Sequence, residues 1–535
     1  MSLTRVSLSM IGYSGSTTIS TDTTITDDVL IGPGQIFTVA SGKTLTFTGS
    51  FNAGVYQVFA GAGTVKFGNG ATSEVYPEWW LATAGGDFGV AASKAFASIF
   101  DVGGKIVFTK SQVCTTPINF TSLSASMGIV IEGRGGSQSN YDAGITIKFK
   151  HTGVGIDCTG SRFLTFRDFK IGTDATTYPT VGILLARTGV AAGSSDRHTF
   201  YNVVCDYGCK FSKAALYNYA SEEMTTYSCS WRNTASTANA CAVVITCSNV
   251  FSAASSFVTI STGVQSNSVF LIYGGEATSI STFGSSHVYY LEGAGEFHVD
   301  GGLVLASGNA SSSLFYVDNR SQAGLYNATI CNVRDETGTD YFLNFAAVVP
   351  NNNPYNIRLT GNHFQGSAGQ FLLYIGDGVK GTDFTLENNT SAGQVSVKDL
   401  ELSRIYCNLF VGRAGGTILS CDITGNASSM SFLGSTTLTN IRDTQYNALR
   451  LVGNTGVSLP PVYIINTTGS STTTVVTGMP YIKAGAFVFL TPASATAVAL
   501  MASIYVSSIQ VGVGFTLTHA STTSGLFNFM VINGT

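Results

Sequence analysis

Two short segments of the chain echo each other 18 residues apart, Glu296-Phe-His-Val-Asp300 and Leu314-Phe-Tyr-Val-Asp318. Phe297 aligns with Phe315, Val299 with Val317, His298 with Tyr316 and Asp300 with Asp318. In an extended strand, alternate side chains face opposite ways. Phe and Val therefore point to one side, and His/Tyr and Asp to the other. A strand that recurs at a near-fixed interval marks stacked coils, whose inner residues form a core and whose outer residues form a surface. A further step of 18 reaches Val333 and Glu336, so the echo half-persists.

The rest of the composition fits such a coil. Only 11% of the 535 residues are charged, against the usual quarter or so. Ser, Thr and Asn hold the polar positions. The 34 Phe and 23 Tyr exclude a disordered chain. An all-β protein with neutral, hydroxyl-rich faces follows. A net charge of −4 without a basic run argues against nucleic acid as a partner. The first residues, Met1-Ser-Leu-Thr-Arg-Val6, show no secretory pattern, so folding in a reducing cytoplasm without disulfides is expected. The most apolar window, 484–501, is broken by Pro492 and reads as β segments rather than a membrane span. The ten cysteines include Cys205, Cys209, Cys229, Cys241 and Cys247 but no CxxC pair. Buried free thiols are expected, with no metal site and no cofactor.

Residues 1–75 alternate Thr with Ile, Val and Phe around turns such as Gly32-Pro-Gly34, and read as a small β-module or the first coils of the solenoid. Residues 76–104 hold Trp79 and Trp80 and one amphipathic helix, with Asp87 as N-cap and Ala91, Ala95 and Ile99 on its apolar stripe. Solenoid ends need covering, so this segment is expected to cap the coil, with the two Trp in its core. From 105 to 445 the pattern is strand, turn, strand. Asn362, Asn388, Asn408 and Asn426 sit where coil corners would need a residue that tolerates the left-handed conformation. Residues 446–535 read as a C-terminal β-sandwich suited to trimerisation or glycan binding, after a linker near 454–461.

The segment Tyr76-Pro-Glu-Trp-Trp80, the Ala-rich helix, Gly103-Gly-Lys-Ile-Val-Phe108, Ile131-Glu-Gly-Arg-Gly-Gly136 and the later coil Phe163 to Gly172 resemble the pectate-lyase-like β-helix proteins of bacteriophage tailspikes. Phe487-Val-Phe-Leu-Thr-Pro492 and Gly514-Phe-Thr-Leu-Thr518 resemble C-terminal domains of phage tail proteins. The resemblance implies a right-handed, single-stranded parallel β-helix. It also implies a homotrimer in the virion tail, assembled in the host cytoplasm beside other tail or baseplate proteins. Such proteins bind a bacterial surface polysaccharide and often depolymerise it, as hydrolases or lyases; the alternative is a non-catalytic receptor-binding tail protein. The family's Asp-rich turn is reduced here to Ala84-Gly-Gly-Asp-Phe-Gly89.

Glycoside hydrolysis needs two carboxyl groups, one protonated and one ionised. If Asp300 and Asp318 occupied equivalent outer positions on adjacent coils, their carboxyls would lie near the strand spacing of about 4.8 Å. One would then be held protonated by the other. Glu296 and His298 share that face, Glu336 extends the acid column, and Tyr316 and Arg334 would stack on a sugar and hold its acidic groups. A lyase would instead use His298 or Tyr316 as base, with Arg334 neutralising the uronate. Trp231 and Arg232 form a second stacking candidate. Rival acids are Glu222, Glu223, Glu276, Glu292 and Asp206; the better rival is the Glu222-Glu223 pair, which after Tyr217-Asn-Tyr219 could line a groove and reads equally as a solvated loop.

Overall fold

The computed structural model describes residues 11–12, 15–121, 128–135, 144–186, 195–219, 221, 223–235, 240–246, 269–273, 276–279, 287–292, 296–306, 312–318, 325–335, 339–346, 353–366, 369–391, 393–407, 409–425, 430–433, 437–439, 450–452, 463–467, 471–477, 482–520 and 524–532. Through most of the chain each coil contributes three strands, and each strand pairs in parallel with its counterparts one coil before and after. The first ladder runs from Glu74–Val75 to Thr437–Thr439, the second from Gln112–Cys114 to Thr390–Ser391, and the third from Ile118–Asn119 to Arg450–Val452. This is a parallel β-helix.

Period-2 patterning builds its core. One inward column of the first ladder runs through Ile106, Ile131, Phe166, Phe200, Thr226, Ile272, Val299, Ile330, Leu359, Leu386 and Ile405, each in register with the next. Phe166 stacks on Phe200 at 4.9 Å and 8°, and Trp231 meets Phe200 edge-on at 5.6 Å. Each fully buried side chain of this size contributes about 1.5–3 kcal/mol.

The 18-residue echo is not the coil repeat. Glu296–Asp300 lies in the first ladder and Ser313–Asp318 in the third. Val299 stacks on Ile330 and Leu291 on Val317, steps of 31 and 26 residues. The inward assignment of Phe297, Val299, Phe315 and Val317 holds, all at most 1% exposed. Phe297 and Phe315 meet edge-to-face across the lumen, with centroids 6.1 Å apart. The two strands face each other, so Asp300 and Asp318 point out through different walls.

Among the described residues the chain turns between the first and second ladders on a left-handed residue: Asp168, Asn202, Ser228, Gly301 (with Gly302), Asn332, Gly361 and Asn388. Gly and Asn adopt this conformation at least cost. Asn388 does what the sequence pattern predicts, with φ of 56°. Asn362 instead follows the left-handed Gly361 and is buried. Its side chain accepts from the Val333 backbone N–H at 3.0 Å and donates to Asn389 Oδ1 at 3.0 Å. Asn408 and Asn426 lie outside the described residues.

Upstream, the strands between Thr17–Ile19 and Thr64–Phe67 also pair in parallel, in three short ladders whose core is continuous with that of the later coils. The helix Phe88–Ile99 begins where Asp87 Oδ1 accepts from the Gly89 N–H at 2.7 Å. It packs against Thr64–Phe67 on one side and Ile118–Asn119 on the other, so it sits between two stretches of coil. Trp79 and Trp80 are 1% and 3% exposed in the adjoining core.

At the C-terminus two antiparallel sheets share a separate core. One holds Tyr463–Asn466, Leu526–Ile532 and Phe487–Pro492; the other holds Thr473–Thr477, Gly514–Thr518 and Tyr505–Gln510. Phe515 and Phe529 join the sheets edge-to-face at 5.0 Å. The apolar window 484–501 is only partly β. After Phe487–Pro492 it forms a short helix, Ala495–Leu500, because Ser494 Oγ accepts from the Ala497 N–H and Ala is a strong helix former. No helix among the described residues is long and apolar enough to cross a membrane.

Nine cysteines are free among the described residues, seven of them buried. Burial raises the thiols of Cys229 and Cys241 to about 12, so they pack as small apolar groups. Burial also lowers His198 to about 4, and its Nε2 lies 2.7 Å from Ser195 Oγ. The unfolded chain takes up this proton near pH 6.5 and the folded chain only near pH 4. The part of the stability that depends on His198 is therefore full above pH 6.5, falls by about 1.4 kcal/mol per pH unit below that, and levels off below pH 4. Replacing His198 with Gln should remove this share and make the acid-side slope shallower by about 1.4 kcal/mol per pH unit in denaturant titrations run at several pH values.

Candidate functional site

The outward positions of the third ladder form a polar and aromatic face. One column runs His287, Ser313, Tyr341, Phe371; the next runs Tyr217, Val244, Tyr290, Tyr316, Asn344, Tyr374. A third runs Tyr219, Thr246, Glu292, Asp318, Ala346. Parallel strands in register set like positions about 4.8 Å apart along each column.

At the closed end the face is buried. Asp318 is 0% exposed, His287 5% and Tyr290 6%. The Tyr290 hydroxyl donates to Asp318 Oδ2. The His287 ring stacks on Tyr316 at 4.0 Å and 17°. Burial pulls His287 down to about 3 despite the opposing pull of Asp318, so its ring is neutral. Its Nδ1 has no partner among the described residues. Asn344 Nδ2 donates to Ser313 Oγ at 3.1 Å.

Further along, the face opens. Tyr341 stacks on Phe371 at 5.1 Å and 10°, and Tyr374 meets both edge-on at 5.4 and 5.3 Å. The Arg413 guanidinium lies 4.7 Å over the Tyr374 ring. It donates to the Tyr374 hydroxyl at 3.0 Å, to Asp377 at 2.7 Å and to the Ile375 carbonyl. Three half-buried rings with an anchored cation can cover a sugar face and hold its hydroxyl or acidic groups.

The register partner of Asp318 is Glu292, not Asp300. The position one coil before Asp318 in the same ladder is therefore an acid, and it is not the one the sequence echo suggests. A stronger echo marks it: His287-Val-Tyr-Tyr-Leu-Glu292 and Ser313-Leu-Phe-Tyr-Val-Asp318, 26 residues apart, continued by Tyr341-Phe-Leu-Asn-Phe-Ala346 and Phe371-Leu-Leu-Tyr-Ile375. Glu292 stood in the sequence only among the rival acids.

The other candidates scatter. Glu296, His298 and Asp300 share the outer face of the first ladder. Glu296 is exposed and accepts from Asn327 at 3.3 Å. Asp300 accepts from Asn332 Nδ2 at 2.8 Å, which with the Cys331 thiol lowers its pKa. Asp300 is thus held ionised, the wrong state for a general acid. Arg334 is exposed on the second ladder, between Leu303 and His363, and does not adjoin Tyr316. Trp231 is 1% exposed in the core, because alternation along Ser230–Asn233 turns it inward, so it cannot stack on a ligand. Arg232 is 4% exposed, its guanidinium 5.8 Å from the Tyr207 ring centroid. Glu223 pairs with Arg197 at 3.1 Å in solvent. Glu276 starts a second-ladder strand, and Asp206 follows one. Glu336 and Glu222 lie outside the described residues.

No protein-family model and no curated protein matches the chain. Among solved structures it is similar to the Dettilon tailspike protein at 11% identity, over 86% of this chain and 94% of that one, with a TM-score of 0.37. It is similar to the tailspike of Pseudomonas phage phi297 at 12% identity, over 83% and 92%, with a TM-score of 0.28. It is also similar to the family 28 exopolygalacturonase of Yersinia enterocolitica at 9% identity, over 83% and 72%, with a TM-score of 0.28.

Proposed function

We propose that the chain is a tailspike-like protein that binds a bacterial surface polysaccharide along the outer face of its third ladder. The observation that carries this reading is the half-buried strip Tyr341, Phe371 and Tyr374, closed by Arg413. Such a strip suits a polymer of sugar rings better than a compact ligand, because it follows the helix axis coil by coil. Binding of purified capsule and O-antigen preparations by the full chain tests it. Arg413→Ala should weaken binding about tenfold, the loss of one anchored charged contact of roughly 1.4 kcal/mol. Unchanged affinity would remove the assignment.

A second reading, hydrolysis of the bound glycan, is favoured by the in-register pair Glu292 and Asp318. The Tyr290 hydroxyl donates to Asp318 Oδ2 and so holds that carboxyl in place. Acids in register on adjacent coils would suit a retaining mechanism, with Asp318 as nucleophile and Glu292 as acid and then base. Cleavage requires that Asp318, buried in the free chain, becomes reachable on binding; recognition does not. Binding without cleavage would leave a receptor-binding tail protein.

The same reading places the protein in a virion tail as a homotrimer, in contact with other tail proteins. Its support is the C-terminal pair of sheets. Val488 and Leu490 pack inward while Phe487 and Phe489 stand 65% and 51% exposed, with Val475 at 64% and Tyr505 at 59%. Rings exposed on this scale mark an interface. Light scattering should give three chains per particle, and the double change Phe487→Asp with Phe489→Asp should give monomers.

A further inference from the structure

We propose that His298, Asp300 and Cys331 form a binding site for a zinc-class divalent metal on the outer face of the first ladder. His298 and Asp300 are two residues apart on one strand, so both side chains leave the same face. Cys331 is the register partner of Asp300 on the next coil. Their three ligand atoms lie within 4.8 Å of one another. Bonds of about 2.3 Å to sulfur and 2.0–2.2 Å to nitrogen and oxygen put tetrahedral ligand atoms roughly 3.5 Å apart. Closing the site therefore needs about an ångström of rotamer motion and no backbone change.

The donor set selects the metal. A thiolate and an imidazole favour zinc or cobalt over calcium or magnesium, which demand oxygen ligands. On binding, the Cys331 thiol gives its proton to solvent, and thiolate plus carboxylate then neutralise the divalent charge. Three protein ligands leave a fourth position for water. Asn332 Nδ2, 2.8 Å from Asp300 Oδ1, fixes the carboxylate from behind, as the outer partners of metal ligands do. The Cys spacing rules pass over this site because its ligands belong to neighbouring coils and are far apart in sequence. The site is independent of the glycan reading, since it lies on another wall.

The test is titration of the full chain with Co2+ alone and with Zn2+ in competition with a chromophoric chelator. One equivalent per chain should bind, with a thiolate-to-cobalt charge-transfer band and the intense visible absorption of four-coordinate cobalt. Cys331→Ser should abolish the charge-transfer band and the binding. Asn332→Ala should weaken binding by about tenfold or more. Cys407→Ser, at another partly exposed cysteine, should change nothing. A large excess of Ca2+ should not displace Co2+. Absence of stoichiometric binding, or binding that survives Cys331→Ser, would overturn the proposal. Circular dichroism separates either result from misfolding.

Discussion

Glu292→Gln should lower polysaccharide cleavage by about 10²–10⁴-fold, the usual contribution of a positioned proton donor, while leaving binding within a few-fold. The amide keeps the size and hydrogen-bonding shape of the acid but cannot carry the proton. Asp318→Asn should be at least as damaging, since it removes the nucleophile of a retaining reaction. Glu296→Gln, on the first wall, should leave cleavage as it is. Reducing-end release from capsule or O-antigen is the measurement, with a pull-down on the same polymer as the binding control. Equal loss in Glu296→Gln and Glu292→Gln would place the chemistry elsewhere. Wild-type protein that binds but releases no ends would retire the enzyme reading and keep the recognition one.

Phe166→Ala should destabilise the β-helix by about 3–5 kcal/mol. Phe166 is wholly buried, stacked on Phe200 and in register between Ile131 and Phe200. Truncating it opens a cavity that the flanking coils cannot close without breaking their ladders. In a solenoid each coil contacts only its neighbours, so the defect removes support from both sides at once. Tyr201→Ala makes the contrast. Tyr201 stacks on Tyr227 at 4.8 Å and 4° but is 42% exposed, so its loss should cost about 1 kcal/mol. Thermal melts of the two variants should differ by several degrees. Equal shifts would mean that the inward column is not the main source of stability.

Alternation along Glu296–Asp300 and Ser313–Asp318 was enough to say that Phe297, Val299, Phe315 and Val317 face inward. Asp87 and the Ala91, Ala95, Ile99 stripe were enough to place the helix. Both are local matters of dihedral preference and side-chain period. The sequence does not show which wall a strand belongs to, because a residue facing across the lumen and a residue stacked one coil away obey the same inward pattern. Phe297 and Phe315 satisfy it by meeting across the core. The same ambiguity hides that Asp318 is in register with Glu292 and that Arg334 stands on the second ladder, away from Tyr316. Trp231 failed for a related reason. A large ring followed by Arg looks exposed in a sequence, but its column in the coil is an inward one. The variable turns between strands, which make coil steps of 26 and 31 residues in the same region, hide the true repeat from a fixed-period search.

The central claim is that the outer face of the third ladder is where the glycan lies. A crystal structure of the full chain soaked with an oligosaccharide of the polymer it binds tests that directly. Sugar density should follow Tyr341, Phe371 and Tyr374, with a hydroxyl or acidic group on Arg413. Density on the first ladder, beside Tyr201 and Tyr227, with the third ladder empty would contradict the account.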